Sequence, residues 1–147
     1  MATFTPHGAA DATRVAHGHG LGEVADIVPV AAGSVNSNYL LKLADRTVFV
    51  RLYEEQETDG VAFEWALLRH LIAAGLPIPA RVAGDPDVPG ALRVQGRPVA
   101  VFAFADGEMS CQSAVDAARA CTVGTLLART HRAGETFGWR RHSTLSR

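Results

Sequence analysis

Gly33-Ser34-Val35-Asn36-Ser37-Asn38-Tyr39 is the stretch on which the reading of this chain turns. Glycine lets the backbone bend, and the small polar residues behind it leave backbone N–H groups approachable, so the run suits a loop that folds over an anionic group. Two residues downstream complete the pattern: a strand cation, Arg51, and a helical acid, Glu64. This is the order a phosphate-binding lobe requires. The loop brings N–H groups onto phosphates, the cation neutralises them, and the carboxylate holds the cation.

Working outward, Ile27–Ala32, Ser37–Leu43 and Thr47–Tyr53 read as successive antiparallel strands, the last two joined by a tight turn at Ala44-Asp45-Arg46. Asp59–Ala74 reads as a helix, capped by Thr58 or Asp59, with Gly75 just past its end and Pro77 beyond. Leu76-Pro77-Ile78-Pro79 then forces an extended passage, and 83–90 reads as loop. Ala91–Gln95 and Pro98–Phe104 are two further strands around a turn at Gly96-Arg97. Ala114–Ala133 closes the pattern as a helix with Ser113 as cap, Asp116 in its first turn and Gly134 as stop. Its Ala117, Val123, Leu126, Leu127 and Thr130 form an apolar stripe suited to a further lobe.

Glu64 lies at helical spacing from Leu68 and Leu71, on or beside the apolar stripe, and a carboxylate there needs a cation or several donors. Arg51 is the natural partner. It interrupts the apolar run Val48-Phe49-Val50-Arg51-Leu52-Tyr53, and alternation puts it on one face with Phe49 and Tyr53. The plainer alternative is a solvent-facing Arg on an edge strand and a Glu at a helix boundary.

Composition narrows the rest. With 14 Lys+Arg against 15 Asp+Glu, the net charge is -1, which provides no basic field for nucleic acid or an anionic membrane. No apolar run reaches the roughly 18 residues of a membrane span, and the start lacks the order of a secretory signal, so a cytoplasmic location is expected. Cys111 and Cys121 read as reduced thiols. His17-Gly18-His19-Gly20 has too few ligands for a metal and reads as a surface turn, in a segment 1–26 that forms an N-terminal helix or stays partly loose. Asp106, Glu108 and Asp116 read as solvated acids. His7, His131 and His142 read as structural, and His70 as a helix-surface residue.

These pieces together resemble the amino-terminal part of the homoserine kinases of the aminoglycoside-phosphotransferase-like family, which share a protein-kinase-like fold with choline and aminoglycoside kinases. The resemblance rests on Ser34-Val35-Asn36-Ser37-Asn38-Tyr39, Arg51-Leu52-Tyr53-Glu54 and Leu76-Pro77-Ile78-Pro79. It continues in Gly96-Arg97-Pro98-Val99-Ala100, Asp106-Gly107-Glu108 and Leu127-Ala128-Arg129-Thr130-His131. It covers nearly everything from Ile27 onward.

The resemblance implies an α+β fold: a protein-kinase-like N-terminal lobe with a five-stranded antiparallel sheet and one inserted helix over 27–107, and from 108 to 147 the hinge and first helix of a truncated C-terminal lobe. It implies ATP binding in which N–H groups from Ser34, Val35, Asn36 and Ser37 meet the phosphates, with Ser34, Asn36 and Ser37 side chains as further donors. Arg51 would contact phosphates and Glu64 would hold it. Phe49 would line the adenine pocket, plain core packing being the alternative, and Ala103, Phe104 and Ala105 would offer hinge backbone groups. The loop has one glycine where protein kinases have three, and Arg stands where relatives often keep Lys.

No His-Gly-Asp catalytic loop or later metal-binding Asp occurs in the sequence, so no catalytic or metal residue is assigned. The expected Mg²⁺ ligands belong to the other lobe. The intact protein is expected to phosphorylate L-homoserine with ATP, this chain being a truncated part that is inactive alone. The alternatives are another hydroxylated acceptor of the choline or aminoglycoside type, or a non-catalytic nucleotide-binding remnant.

Overall fold

Five strands form one antiparallel sheet in the order β1-β2-β3-β5-β4, as the alternation of apolar residues requires. The computed structural model describes residues 5–31, 35–82, 92–107 and 115–140. Its elements are α1 (Ala9–Gly18), β1 (Val24–Val30), β2 (Ser37–Leu43), β3 (Thr47–Leu52), α2 (Thr58–Ala73), β4 (Arg93–Val94), β5 (Arg97–Ala103) and α3 (Ala117–Gly134). The expected α+β architecture, with a helix inserted after the third strand, is what the chain adopts. It divides into two units, Met1–Ala62 with Pro79–Ala105, and Phe63–Ile78 with Asp106–Arg147.

In the first unit, register sets which side chains share a face. Asn38 pairs with Arg51 and Leu40 with Phe49 across β2 and β3, while Phe49 pairs with Phe102 and Arg51 with Ala100 across β3 and β5. Alternation sends Leu41, Val48, Val50, Leu52, Val99 and Val101 to the opposite face, where they pack with Ala12, Val15 and Ala16 of α1 into a closed core. The N-terminal segment is therefore a helix that covers one side of the sheet.

Several boundaries differ from the sequence expectation, each for a local reason. β1 starts at Val24 and ends at Val30 rather than running Ile27–Ala32. Pairing with β2 continues past Asp26 through a register shift to Leu43, and Pro29 is tolerated because β1 is an edge strand. The β4–β5 turn is Gln95-Gly96, not Gly96-Arg97. Both residues have positive φ, 49° and 78°, as a two-residue hairpin turn with the twist of its strands demands. β4 is only Arg93–Val94, and β5 takes in Arg97 and stops at Ala103.

Of His17-Gly18-His19-Gly20, the first two residues end α1 and the last two form the expected turn, with His17, Gly18 and Gly20 exposed. Gly20 takes φ 61°, the N–H groups of Leu21 and Gly20 return to the carbonyls of Ala16 and His17, and Leu21 is buried. His19 is buried as well, its Nδ1 3.0 Å from the Val15 carbonyl. Burial pushes its pKa below the ordinary 6.5, the Val15 carbonyl partly offsets this, and the Arg81 charge adds to it.

α2 runs Thr58–Ala73 rather than Asp59–Ala74, so Thr58 and Asp59 are its first residues rather than its cap, and in the second unit it closes on the glycine that the sequence indicated. Gly75 has φ 77°, and Leu76 and Gly75 donate back to Leu71 and Ile72. α3 begins at Ala117, with Asp116 as its cap: the Asp116 carboxylate accepts from the Arg119 N–H at 2.7 Å. Ser113 and Ala114 lie outside the described residues, as do Cys111, Glu108, His142, Ala91 and the 83–90 loop. His70 is not a plain surface residue. Its Nε2 lies 2.8 Å from the Ala133 carbonyl and 3.1 Å from Thr136 Oγ1, with its ring against Phe137. No residue of α3 is buried, and Val123 and Leu127 of the anticipated stripe are more than half exposed. Among the described residues no helix is long and apolar enough to cross a membrane.

Candidate functional site

The face of the sheet away from α1 carries the candidate site. Arg51, at the middle of the sheet's width, lies with its guanidinium carbon 5.8 Å from the Phe49 ring centre and 5.7 Å from that of Phe102. The two rings are themselves 6.5 Å apart and tilted by 54°. Aromatic faces attract a guanidinium by about 0.5–1 kcal/mol each where solvent reaches them, so two rings on neighbouring strands restrict its sweep. Arg51 Nε donates to Asn38 Oδ1 at 3.4 Å, and Asn38 Nδ2 donates to the Asn36 carbonyl at 3.2 Å. Buried Asn38 therefore ties the loop backbone to the strand cation. The two ends of its amide divide the task, the acceptor meeting the cation and the donor meeting the loop.

Asn36 is half-buried, and its Oδ1 is buried with no hydrogen-bond partner among the described residues. Val35 is exposed. Ser34, with Gly33 and Ala32, lies outside the described residues. Ser37 is fully buried on the face opposite Asn38, where its hydroxyl donates to Glu54 Oε1 at 2.5 Å and accepts from the Thr5 N–H at 2.9 Å. The structure thus commits that hydroxyl to a protein network.

Ala103 ends β5 with its N–H donating to the Ala80 carbonyl at 2.8 Å. Phe104 and Ala105 follow, exposed, outside the strand. Glu64 is half-buried on the stretch of α2 that belongs to the second unit. Phe49 and Arg51 are thus brought together as alternation indicated. Asn38 and Phe102 were not among the residues singled out from the sequence, nor was Glu54, although it stands in the Arg51-Leu52-Tyr53-Glu54 motif.

Glu54 is held by several donors. It accepts from Thr5 N, Thr5 Oγ1 and Ser37 Oγ, and pairs with Arg97 Nε at 3.4 Å. Partial burial pushes its carboxyl pKa up, but donation from Ser37 and Thr5 and the Arg97 charge outweigh this and leave it below the ordinary 4.5.

Residues 26–147 match the phosphotransferase enzyme family. The chain belongs to that family. Among curated relatives, "homoserine kinase" of Methylocella silvestris is 33% identical over 99% of the chain and 45% of its own length. That of Rhodospirillum rubrum is 34% identical over 99% and 45%, and that of Nitrobacter winogradskyi 33% identical over 99% and 44%. The chain thus spans under half the length of the relatives it matches. Among solved structures, spectinomycin phosphotransferase APH(9)-Ia in complex with ADP and spectinomycin superposes with a TM-score of 0.68 at 12% identity, over 88% of this chain and 39% of that one. The kinase-like fold follows.

Proposed function

We propose that the protein is an ATP-dependent small-molecule kinase whose acceptor is the hydroxyl of L-homoserine, with this chain supplying the nucleotide-binding lobe. The observation that carries the reading is Arg51, a cation held by Asn38 against Phe49 and Phe102 beside the loop that ends at Ser37. Support for the acceptor comes from the relatives, each called homoserine kinase and matched along nearly the whole of this chain. The ADP in complex with the structural neighbour supports the nucleotide.

ATP supplies the phosphoryl group, which leaves its β-phosphate for the acceptor oxygen while the acceptor's proton passes to a base. This chain's residues bind and orient. Backbone N–H groups of Val35, Asn36 and Ser37 are assigned to the phosphates, and the Asn36 side chain adds a polar contact; Ser34, the remaining donor expected of this loop, lies outside the described residues. Arg51 neutralises phosphate charge. Phe49 borders the adenine. Since the Ala103 N–H already serves Ala80, Phe104 and Ala105 are the better hinge donors. Among the described residues no group of three or more His, Cys, Asp or Glu could hold a metal. The Mg²⁺ ligands and the base are assigned to the whole protein's other lobe.

The test is ADP formation by the whole protein. Homoserine-dependent turnover, with choline and aminoglycosides inert, supports the reading; turnover on one of the latter moves the acceptor class, and none at all with intact ATP binding marks a nucleotide-binding remnant.

A further inference from the structure

We propose that Glu54 is a positioning residue of the nucleotide site: its carboxylate clamps the Thr5 strap and the Ser37 hydroxyl to the open mouth of the β2–β3 hairpin, and so aims Asn38 and Arg51 on the other face. This rests on the reading of that face as the nucleotide site.

The hairpin closes at Ala44–Arg46, so its far end, Ser37 opposite Leu52, is where the ladder would fray. That end is where the site lies: Asn38 opposite Arg51 is the next pair in. Consecutive strand residues point to opposite faces, so a rotation of the β2 backbone that releases Ser37 turns Asn38 as well. The restraint on Ser37 is unusually complete. Its hydroxyl donates to Glu54 Oε1 at 2.5 Å, while Thr5 N–H is shared between Ser37 Oγ at 2.9 Å and Glu54 Oε1 at 3.1 Å. Thr5 Oγ1 donates to Glu54 Oε2 at 2.9 Å.

The strap is secured in turn. Tyr39 Oη donates to the Thr5 carbonyl at 2.5 Å, the His7 ring lies 4.9 Å from that of Tyr39, and Gln95 Nε2 donates to the Pro6 carbonyl at 2.7 Å. Arg97 fixes Glu54 from β5, pairing with its carboxylate and donating to its carbonyl. A charged acceptor with three donors draws the ends of β2 and β3 and the strap into one rigid corner. Asn38 then has one direction in which to present Oδ1, and Arg51 one place to receive it.

The experiment compares the protein with Glu54→Gln and Thr5→Ala, below their melting temperatures, by calorimetric ATP titration and by the Arg51 Nε–Hε resonance, assigned from its loss in Arg51→Lys. The expected result is ATP affinity about tenfold weaker in both variants, a loss comparable to one well-placed hydrogen bond, with a shifted Arg51 resonance. Variants that melt earlier but bind ATP with unchanged affinity overturn the proposal, since a purely structural corner would do that. Should Glu54→Gln fail to fold, Thr5→Ala, which deletes one hydroxyl, decides alone. If the unaltered protein binds no ATP, the nucleotide reading fails and the resonance judges the clamp: a shift upholds the aiming of Arg51, and an unmoved signal overturns it.

Discussion

The two faces of the sheet are made by alternate residues of the same strands, yet one is a closed core and the other holds a cation. Under α1, Val48, Val50 and Leu52 of β3 are fully buried in an apolar cluster, with the Tyr39 and Ser37 hydroxyls of that face hydrogen-bonded at its edge. One residue out of step, Phe49 and Arg51 are half-buried, and Arg51 is guided by an amide and two aromatic rings instead of being excluded. The difference teaches how a strand keeps a charge in place. Burial on one side fixes the backbone, and side chains on the other are then free to aim a guanidinium.

The comparison can be broken most heavily from the core side. Leu41→Ala, in the middle of β2, should cost about 2–5 kcal/mol in denaturant unfolding, the range for emptying a buried leucine site. At temperatures where the variant is folded, its ATP affinity should match that of the unaltered protein. Phe49→Ala acts on the other face and should show the reverse: about 1–2 kcal/mol of stability, because the ring is half-exposed, with a clear loss of ATP affinity.

Acid sharpens the contrast. His7 and His19 are both buried outside the candidate site, and burial pushes each below the ordinary 6.5, with the Asp11 charge pulling His7 partly back. The unfolded chain therefore binds protons first. Their stabilising contribution is complete above about pH 6.5 and is lost as pH falls towards their folded values. Glu54, held below 4.5, adds a second loss at lower pH, as its folded value is crossed. Melting temperature against pH should fall in both windows, and His7→Gln should flatten the first. A smaller effect is expected of Asp116→Ala. Loss of the α3 cap should cost about 1 kcal/mol and leave ATP affinity unchanged.

Much of this was legible from local pattern. Strand alternation put Phe49 with Arg51, but counting outward from a three-residue turn at Ala44–Arg46 would have set Tyr39 opposite Arg51; Asn38 stands there because Leu43 bonds to Arg46 and the turn holds only Ala44-Asp45. Phe102 was not legible in that way, because the register of β5 on β3 is set across an intervening helix and loop rather than by a turn. Glu54 is harder still. Its partner Thr5 is 49 residues away, in a segment whose composition carries little periodicity. The ends of β1 and the Gln95-Gly96 turn moved for tertiary reasons: edge pairing carried one past a bulge, and hairpin twist placed the other.

The central claim is that Arg51 meets nucleotide phosphates. Calorimetric titration of ATP into the protein and into Arg51→Ala and Arg51→Lys tests it most directly. The account predicts binding weakened about ten- to a hundredfold in Arg51→Ala, the scale of a lost charge-assisted contact, and partly restored in Arg51→Lys, with the fold intact by circular dichroism. Equal affinity in all three, or none in the unaltered protein, would contradict it.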